Sequence, residues 1–248
     1  MLVVMIPSLL VVGIITFLKP RQYLSVTTAL PASSYASDKG KIFNENILAL
    51  YSELGSSDDL DKIVGSANLD TVYLFVADQF NLFDHYKIPV KDETARHTAA
   101  KLLIRNSKVM KSEYGELKVK LWDTDKNLAP QLANAILDKL QTIHQNLQSV
   151  NNKVSLIALQ KASSKIRFQF DSIQNISQSN DEMYAARSKG LMDQLQQYEK
   201  LINEYQLVID SKAPVLMVVE KARTSDRPDR PRRLQIMIAA GVLSLLFS

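Results

Sequence analysis

The sequence predicts an α+β extramembrane domain with a long helical hairpin or coiled-coil excursion, flanked by two transmembrane helices. Three observations carry that expectation. An uncharged apolar run stands at each end of the 248 residues, short β-branched segments follow the first run and precede the second, and the middle holds two stretches with heptad spacing.

Met1 to Leu18, MLVVMIPSLLVVGIITFL, is 18 residues without a charge, roughly 27 Å of helix and nearly enough to cross a bilayer. Residues 1–18 are therefore expected as the first span. A signal peptide is the rival reading, but no basic segment precedes the run, and a cleaved peptide leaves the C-terminal run unexplained. Residues 19–127 are expected to form a membrane-proximal α/β base. Tyr23 to Leu30, with Val26, Thr27 and Thr28 before Pro31, suits a strand leaving the membrane. Asn44 to Leu54 has helical spacing and is stopped by Gly55. A short helix opens at Ser57 and Asp58 with Leu60, Ile63 and Val64 inward, and Leu69 to Phe83 reads as one further helix. Leu102 to Met110 and Glu116 to Asp123 flank Glu113, Tyr114 and Gly115 as a hairpin pattern. Leu117, Val119 and Leu121 share one face, Lys118 and Lys120 the other.

Residues 128–212 are expected as the helical excursion. Leu140, Ile143, Leu147, Val150, Val154 and Ile157 follow at spacings of 3, 4, 3, 4 and 3, which is a coiled-coil seam, and Leu132 and Ile136 extend it backwards. Pro130 is tolerated in the first turn and Asn127 is a candidate cap. A helix running to about Phe170 makes a rod of roughly 60 Å. After the polar corner Ser172 to Asp181, a second seam runs through Leu191, Leu195, Tyr198, Ile202, Tyr205 and Ile209, which predicts an antiparallel pair. One narrow seam per helix leaves two uses open, packing within the chain or contact with another copy. Residues 213–223 return to the base as a strand around Pro214 to Lys221. Residues 224–233 form a proline-containing linker, and 234–248, LQIMIAAGVLSLLFS, is the second span, short enough to suggest truncation.

Composition narrows the function. A net charge of +4 without a concentrated basic face argues against nucleic acid, and the absence of cysteine excludes thiolate metal sites and a cysteine nucleophile. GxxxxGK[ST], GxGxxG and GxSxG do not occur. His85, His97 and His144 fall in separate elements without metal-ligand spacing, so structural or solvent-facing roles are expected. Asp58, Asp59 and Asp61 suit a helix start, and Asp123 with Asp125 suits a turn. No set of residues supplies nucleophile, base and oxyanion donors together, so no catalytic residue, cofactor or metal is expected and the chain is read as a non-enzyme. Lys19 and Arg21 after the first span and Arg223, Arg227, Arg230, Arg232 and Arg233 before the second put the middle domain in the cytoplasm by charge alone, though that rule is weak for long domains. The basic residues near the second span can meet anionic lipid or a sugar phosphate, or simply snorkel at an interface.

The whole chain resembles the bacterial polysaccharide chain-length determinants, the Wzz or polysaccharide co-polymerase family. The resemblance rests on the first span followed by Tyr23, Leu24, Ser25 and Pro31; on LKVKLWDTDKNLAPQLANAILDKL, Leu117 to Leu140; and on PVLMVVEKARTSDRPDRPRRLQIMIAAG, Pro214 to Gly241, with Ala222, Pro228 and Pro231 in the approach to the second span. Here Lys126 to Ala129 separate the acidic turn from Pro130, where the family's proline usually follows directly. The resemblance implies a bacterial inner-membrane protein with a periplasmic central domain. It also implies ring-like homo-oligomers that set O-antigen or related polysaccharide length for a separate polymerase, with a lipid-linked glycan as a further candidate partner. Pro228, Pro231 and Gly241 would act in the second span, and Leu140, Ile143, Leu147, Val150, Val154, Leu195, Tyr198 and Ile202 in the helical seam or oligomer contacts. The alternatives are a two-span adaptor for a polysaccharide tyrosine kinase or exporter, a periplasmic ligand-sensing receptor, and a hydrolase using His97 or His144.

Overall fold

The computed structural model describes residues 2–32, 57–89, 92–176, 182–211 and 214–246. The helix expected at Asn44 to Leu54 lies outside them, as does most of the polar corner. The chain divides into two compact units.

The first unit begins with α1 (Leu2–Leu18) and β1 (Tyr23–Pro31), the expected strand. α2 (Ser57–Ser66) buries Leu60 and Ile63, with Val64 half-buried. The single helix expected over Leu69 to Phe83 is instead two, α3 (Asp70–Gln79) and α4 (Leu82–His85). Asn81 separates them with φ +49°, a left-handed conformation that asparagine tolerates better than most residues.

α5 (Glu93–Arg105) corrects a second expectation, because Leu102 to Arg105 close a helix where a strand was expected. Its start is capped by Asp92, whose carboxylate accepts the Ala95 N–H at 2.7 Å. Ala95, Ala99, Ala100 and Leu103 form its buried face against α3, and Arg96 reaches the Asp78 carboxylate at 2.6 Å. Only after Asn106 does β2 (Ser107–Lys111) begin. It joins β3 (Leu117–Asp123) through a tight turn in which Gly115 has φ +74°. The absence of a Cβ permits that value, and the Ser112 N–H closes the loop on Glu116 O at 2.7 Å.

The sheet order is β2-β3-β1-β4, with β4 spanning Leu216–Glu220. β1 and β3 are antiparallel, pairing Tyr23 with Asp123 and Thr27 with Val119, while β2 pairs Val109 with Val119. Alternation on β3 sends Leu117, Val119 and Leu121 fully inside and leaves Lys118 and Lys120 half-buried, as the sequence pattern predicts.

α6 (Leu128–Ile176) is a single helix of 49 residues, longer than the roughly 40 expected. The acidic turn before it is present. The Asp123 carboxylate accepts the Asp125 N–H and the Asp125 carboxylate accepts the Asn127 N–H, both at 2.8 Å, so Asn127 contributes its backbone here. Through Leu140 this helix belongs to the first unit, where Ala129, Leu132, Ala133, Ile136 and Leu137 are buried.

α8 (Arg233–Leu246) completes the first unit and packs against α1. Among the described residues no helix is long and apolar enough to cross a membrane. This differs from the two transmembrane helices expected, the second already read as short: α1 has 17 residues and α8 has 14, roughly 25 Å and 21 Å of rise against a hydrocarbon core of about 30 Å.

The second unit holds the remainder of α6 and α7 (Glu182–Ser211), which run antiparallel. Arg167 meets Glu199 at 3.0 Å, and one cleft is lined by Ser149 and Asn152 from α6 and Val208 and Ile209 from α7.

Candidate functional site

Two regions hold the residues singled out by sequence. The first is the junction where α1 gives way to β1 and the 224–233 linker leads into α8. Alternation on β1 turns Ser25 and Thr27 toward the returning chain, where they donate to the carbonyls of Arg223 and Glu220, each at 2.9 Å. Asn134, one turn inside the proline-started helix, clamps the same segment. Its Oδ1 accepts the Ala222 N–H at 3.0 Å and its Nδ2 donates to Ala222 O at 3.5 Å. The Ala-Asn helix beginning and the stretch containing Ala222 are 88 residues apart in sequence and bond directly in space.

The linker is fastened beyond Ala222. The Gln22 N–H donates to Arg230 O at 2.9 Å, and Gln22 O accepts from the Asp229 and Arg230 N–H groups at 2.9 and 3.3 Å. Trp122, at the end of β3, donates its indole N–H to the Asp229 carboxylate at 2.8 Å, and the Arg230 guanidinium stacks 3.7 Å above its ring. That indole bond, with Arg232 and Arg230 alongside, holds Asp229 below the usual carboxylate range despite some burial. Pro231 follows a cis peptide bond and is half-buried, whereas Pro228 is exposed. A Cβ at Gly241 would meet nothing within 4 Å among the described residues, whereas one at Gly13 would lie in ordinary contact with the Met237 side chain at 3.9 Å. Arg233 lies over the Phe17 ring at 4.6 Å.

The second region is the helical pair. Leu140 is fully buried and Ile143 half-buried, but Leu147, Val150, Val154 and Ile157 are 55%, 58%, 63% and 64% exposed. These four lie on one stripe of α6, and Phe168, in the same heptad register, is exposed too. The contact with α7 uses a different face. The cleft between the helices is lined by Gln145, Gln148, Ser149 and Asn152 against Val208 and Asp210, with Leu156 and Val208 buried. Leu195, Tyr198 and Ile202 on α7 are half-buried.

The histidines remain apart. His85 Nε2 lies 2.8 Å from Asp123 Oδ1, His97 is 3.5 Å from Glu93 one turn away, and His144 is half-buried on α6. Among the described residues no three His, Cys, Asp or Glu side chains gather as a metal site. Burial, with the Asp123 charge nearby, pushes the Tyr86 phenol well above its usual range and keeps it neutral. The side chains of Asp58 and Asp59 lie outside the description, while Asp61 accepts from Lys111 Nζ at 3.1 Å. Sequence reading missed the Trp122–Asp229 and Asn134–Ala222 pairs. The available signals were the lone tryptophan at a strand end and an asparagine just inside a proline-started helix.

No family model and no curated protein matches the chain. Among solved structures it is similar to a full-length bacterial polysaccharide co-polymerase, at 14% identity over 99% of this chain and 90% of that one, with a TM-score of 0.35. A fragment of WzzB, the polysaccharide co-polymerase from Salmonella Typhimurium, is 13% identical over 85% of this chain and 100% of that one, with a TM-score of 0.41. A proline-substituted variant of the Shigella flexneri lipopolysaccharide O-antigen chain-length regulator is 12% identical over 84% and 100%, with a TM-score of 0.32.

Proposed function

We propose that this chain is a non-catalytic regulator of polysaccharide chain length, held in a bacterial inner membrane by α1 and α8, with its central domain periplasmic. It acts as a homo-oligomeric scaffold for a separate polymerase. The observation that carries this reading is the exposed stripe Leu147, Val150, Val154 and Ile157. A stripe this regular facing solvent costs free energy unless another surface covers it. More than half of each side chain remains to be buried, worth roughly 1 kcal/mol apiece at the usual 1.5–3 kcal/mol for full burial. Summed around a ring, such contacts hold protomers side by side.

Membrane attachment is supported by the apolar surface of the paired terminal helices. Leu10, Val11, Ile14, Ile15, Phe17 and Leu18 on α1 and Leu234, Ile238, Val242 and Leu243 on α8 are all exposed, a continuous surface suited to hydrocarbon. Pro231 and Pro228 stiffen the approach to α8, since each fixes φ and removes a backbone donor. Gly241, with open space beside it among the described residues, leaves room for a neighbouring protomer's helix. Polysaccharide length would follow from geometry and residence time, with bond chemistry left to the polymerase.

The test combines two measurements. Deleting the gene is expected to change surface polysaccharide from a clustered to an unclustered length distribution on electrophoresis. Restoring the parent chain, but not Val150→Glu with Val154→Glu, recovers the cluster. In detergent the parent is expected to be oligomeric by light scattering and the double variant to dissociate. A strictly single-copy parent, or an unchanged length distribution, would overturn the proposal.

A further inference from the structure

The junction contains an open cleft of about 440 Å³ lined by Lys19, Pro20, Gln22, Arg105, Arg230 and Pro231. Three of these six residues are cations and none is a carboxylate. Among the described residues, neither Lys19 nor Arg105 forms an ion pair. The adjacent carboxylate, Asp229, is already engaged by the Trp122 indole and by Arg232 at 3.3 Å. Like charges gathered in one concavity repel one another, and an anion relieves that repulsion. We propose that this cleft binds the phosphate of an anionic phospholipid headgroup.

The site is preorganised. Arg230 is held by its stacking on Trp122 and by the Gln22 bridge, which also fixes the mouth between Pro20 and Pro231. Arg105 ends α5, whose last turn stands beside the strand that carries Trp122: the Trp122 N–H donates to Asn106 O at 2.8 Å. A lipid is favoured over a free phosphate by what surrounds the opening. Lys19 directly follows Phe17 and Leu18, and Pro231 precedes Leu234, all three apolar side chains being exposed. A phosphate in the cleft would therefore leave its acyl chains along α1 and α8. The inference rests on the proposed membrane attachment and adds to it a ligand class and a set of residues.

Trp122 is the only tryptophan and touches Arg230, so its fluorescence reports on the cleft. The full chain in uncharged detergent would be titrated with dihexanoyl-phosphatidylglycerol, dihexanoyl-phosphatidylcholine and inorganic phosphate. We expect a saturable change with phosphatidylglycerol, none with phosphatidylcholine, and a midpoint for inorganic phosphate at least about tenfold higher. Lys19→Gln and Arg105→Gln should each raise the phosphatidylglycerol midpoint roughly fivefold, while Arg227→Gln, outside the cleft, should not.

Native mass spectrometry provides the second readout, with retained phosphatidylglycerol falling in the Lys19→Gln, Arg105→Gln double variant. Circular dichroism checks that the variants stay folded. Midpoints and retention unchanged by both substitutions, or equal binding of phosphatidylcholine, overturn the site. An equal midpoint for inorganic phosphate overturns the lipid assignment. Flotation of the parent with neutral phosphatidylcholine vesicles reads membrane attachment separately, so a chain that floats but fails the titration loses only the cleft.

Discussion

In the first unit Leu132, Ile136 and Leu140 are wholly withdrawn from water, whereas farther along the same helix Leu147, Val150, Val154 and Ile157 keep more than half of their surface. The apolar stripe runs on from one segment to the other, at spacings of 4 and 4 in the first and 3, 4 and 3 in the second. What changes is the cover. In the first unit the helix start is buried, as are the inward face of β3 and apolar residues of α2, α3 and α5, and Lys139 of the helix lies 3.9 Å over the Phe75 ring of α3. In the second unit the cleft between α6 and α7 is lined by Gln145, Gln148, Ser149 and Asn152, so the apolar stripe lies elsewhere on the helix. A seam therefore specifies a helix and an apolar face, but the partner surface decides whether that face is core or contact.

The contrast is sharpest in a pair of truncations. Ile136→Ala should cost about 2–5 kcal/mol of folding stability, because it opens a cavity in a dry core, while Val150→Ala should change the dissociated chain's stability by no more than about 0.5 kcal/mol. Denaturant unfolding under dissociating conditions measures both, and equal losses would break the comparison. A second test separates the polar interactions of the two regions. Asp229→Asn should cost about 1.5–3 kcal/mol at neutral pH by replacing a charge-assisted bond to Trp122.

The sign of the pH effect follows from linkage. The folded state lowers the Asp229 pKa from its ordinary 3.8, so its stabilisation is complete above that value and is lost as pH falls through the lower folded pKa. Parent and variant should therefore converge in acid, and a difference that persists there would assign the loss to packing. The smallest expected effect is Arg167→Ala on the exposed Arg167–Glu199 pair between α6 and α7, under about 0.5 kcal/mol by the same unfolding measurement and weaker still in high salt.

Local patterns in the sequence were sufficient for β1, β3, the acidic turn at Asp123 and Asp125, and the two long helices. Each depends on neighbours two to four residues away. Reading failed where one residue redirected the chain. Asn81 splits α3 from α4 by entering the left-handed region, and the Asp92 cap with its alanine face carries α5 through residues whose apolar content resembles a strand. The junction was legible only in part. Its prolines and arginines stand out as types, but nothing local announces that Gln22 bonds Arg230, that Trp122 bonds Asp229, or that Asn134 holds Ala222.

The sequence by itself determined the alternation that makes β3 one-sided, the heptads that make α6 and α7 helical, and the concentration of uncharged residues at both ends. These follow from fixed repeats of 2, 3.5 and 3.6 residues along a strand or helix. Only the tertiary structure decided which stripe of α6 is covered, and that Lys19, Arg105 and Arg230 share one cleft. Burial and electrostatic field depend on distance in space, and residues brought together from the beginning, middle and end of the chain have no periodicity to announce them.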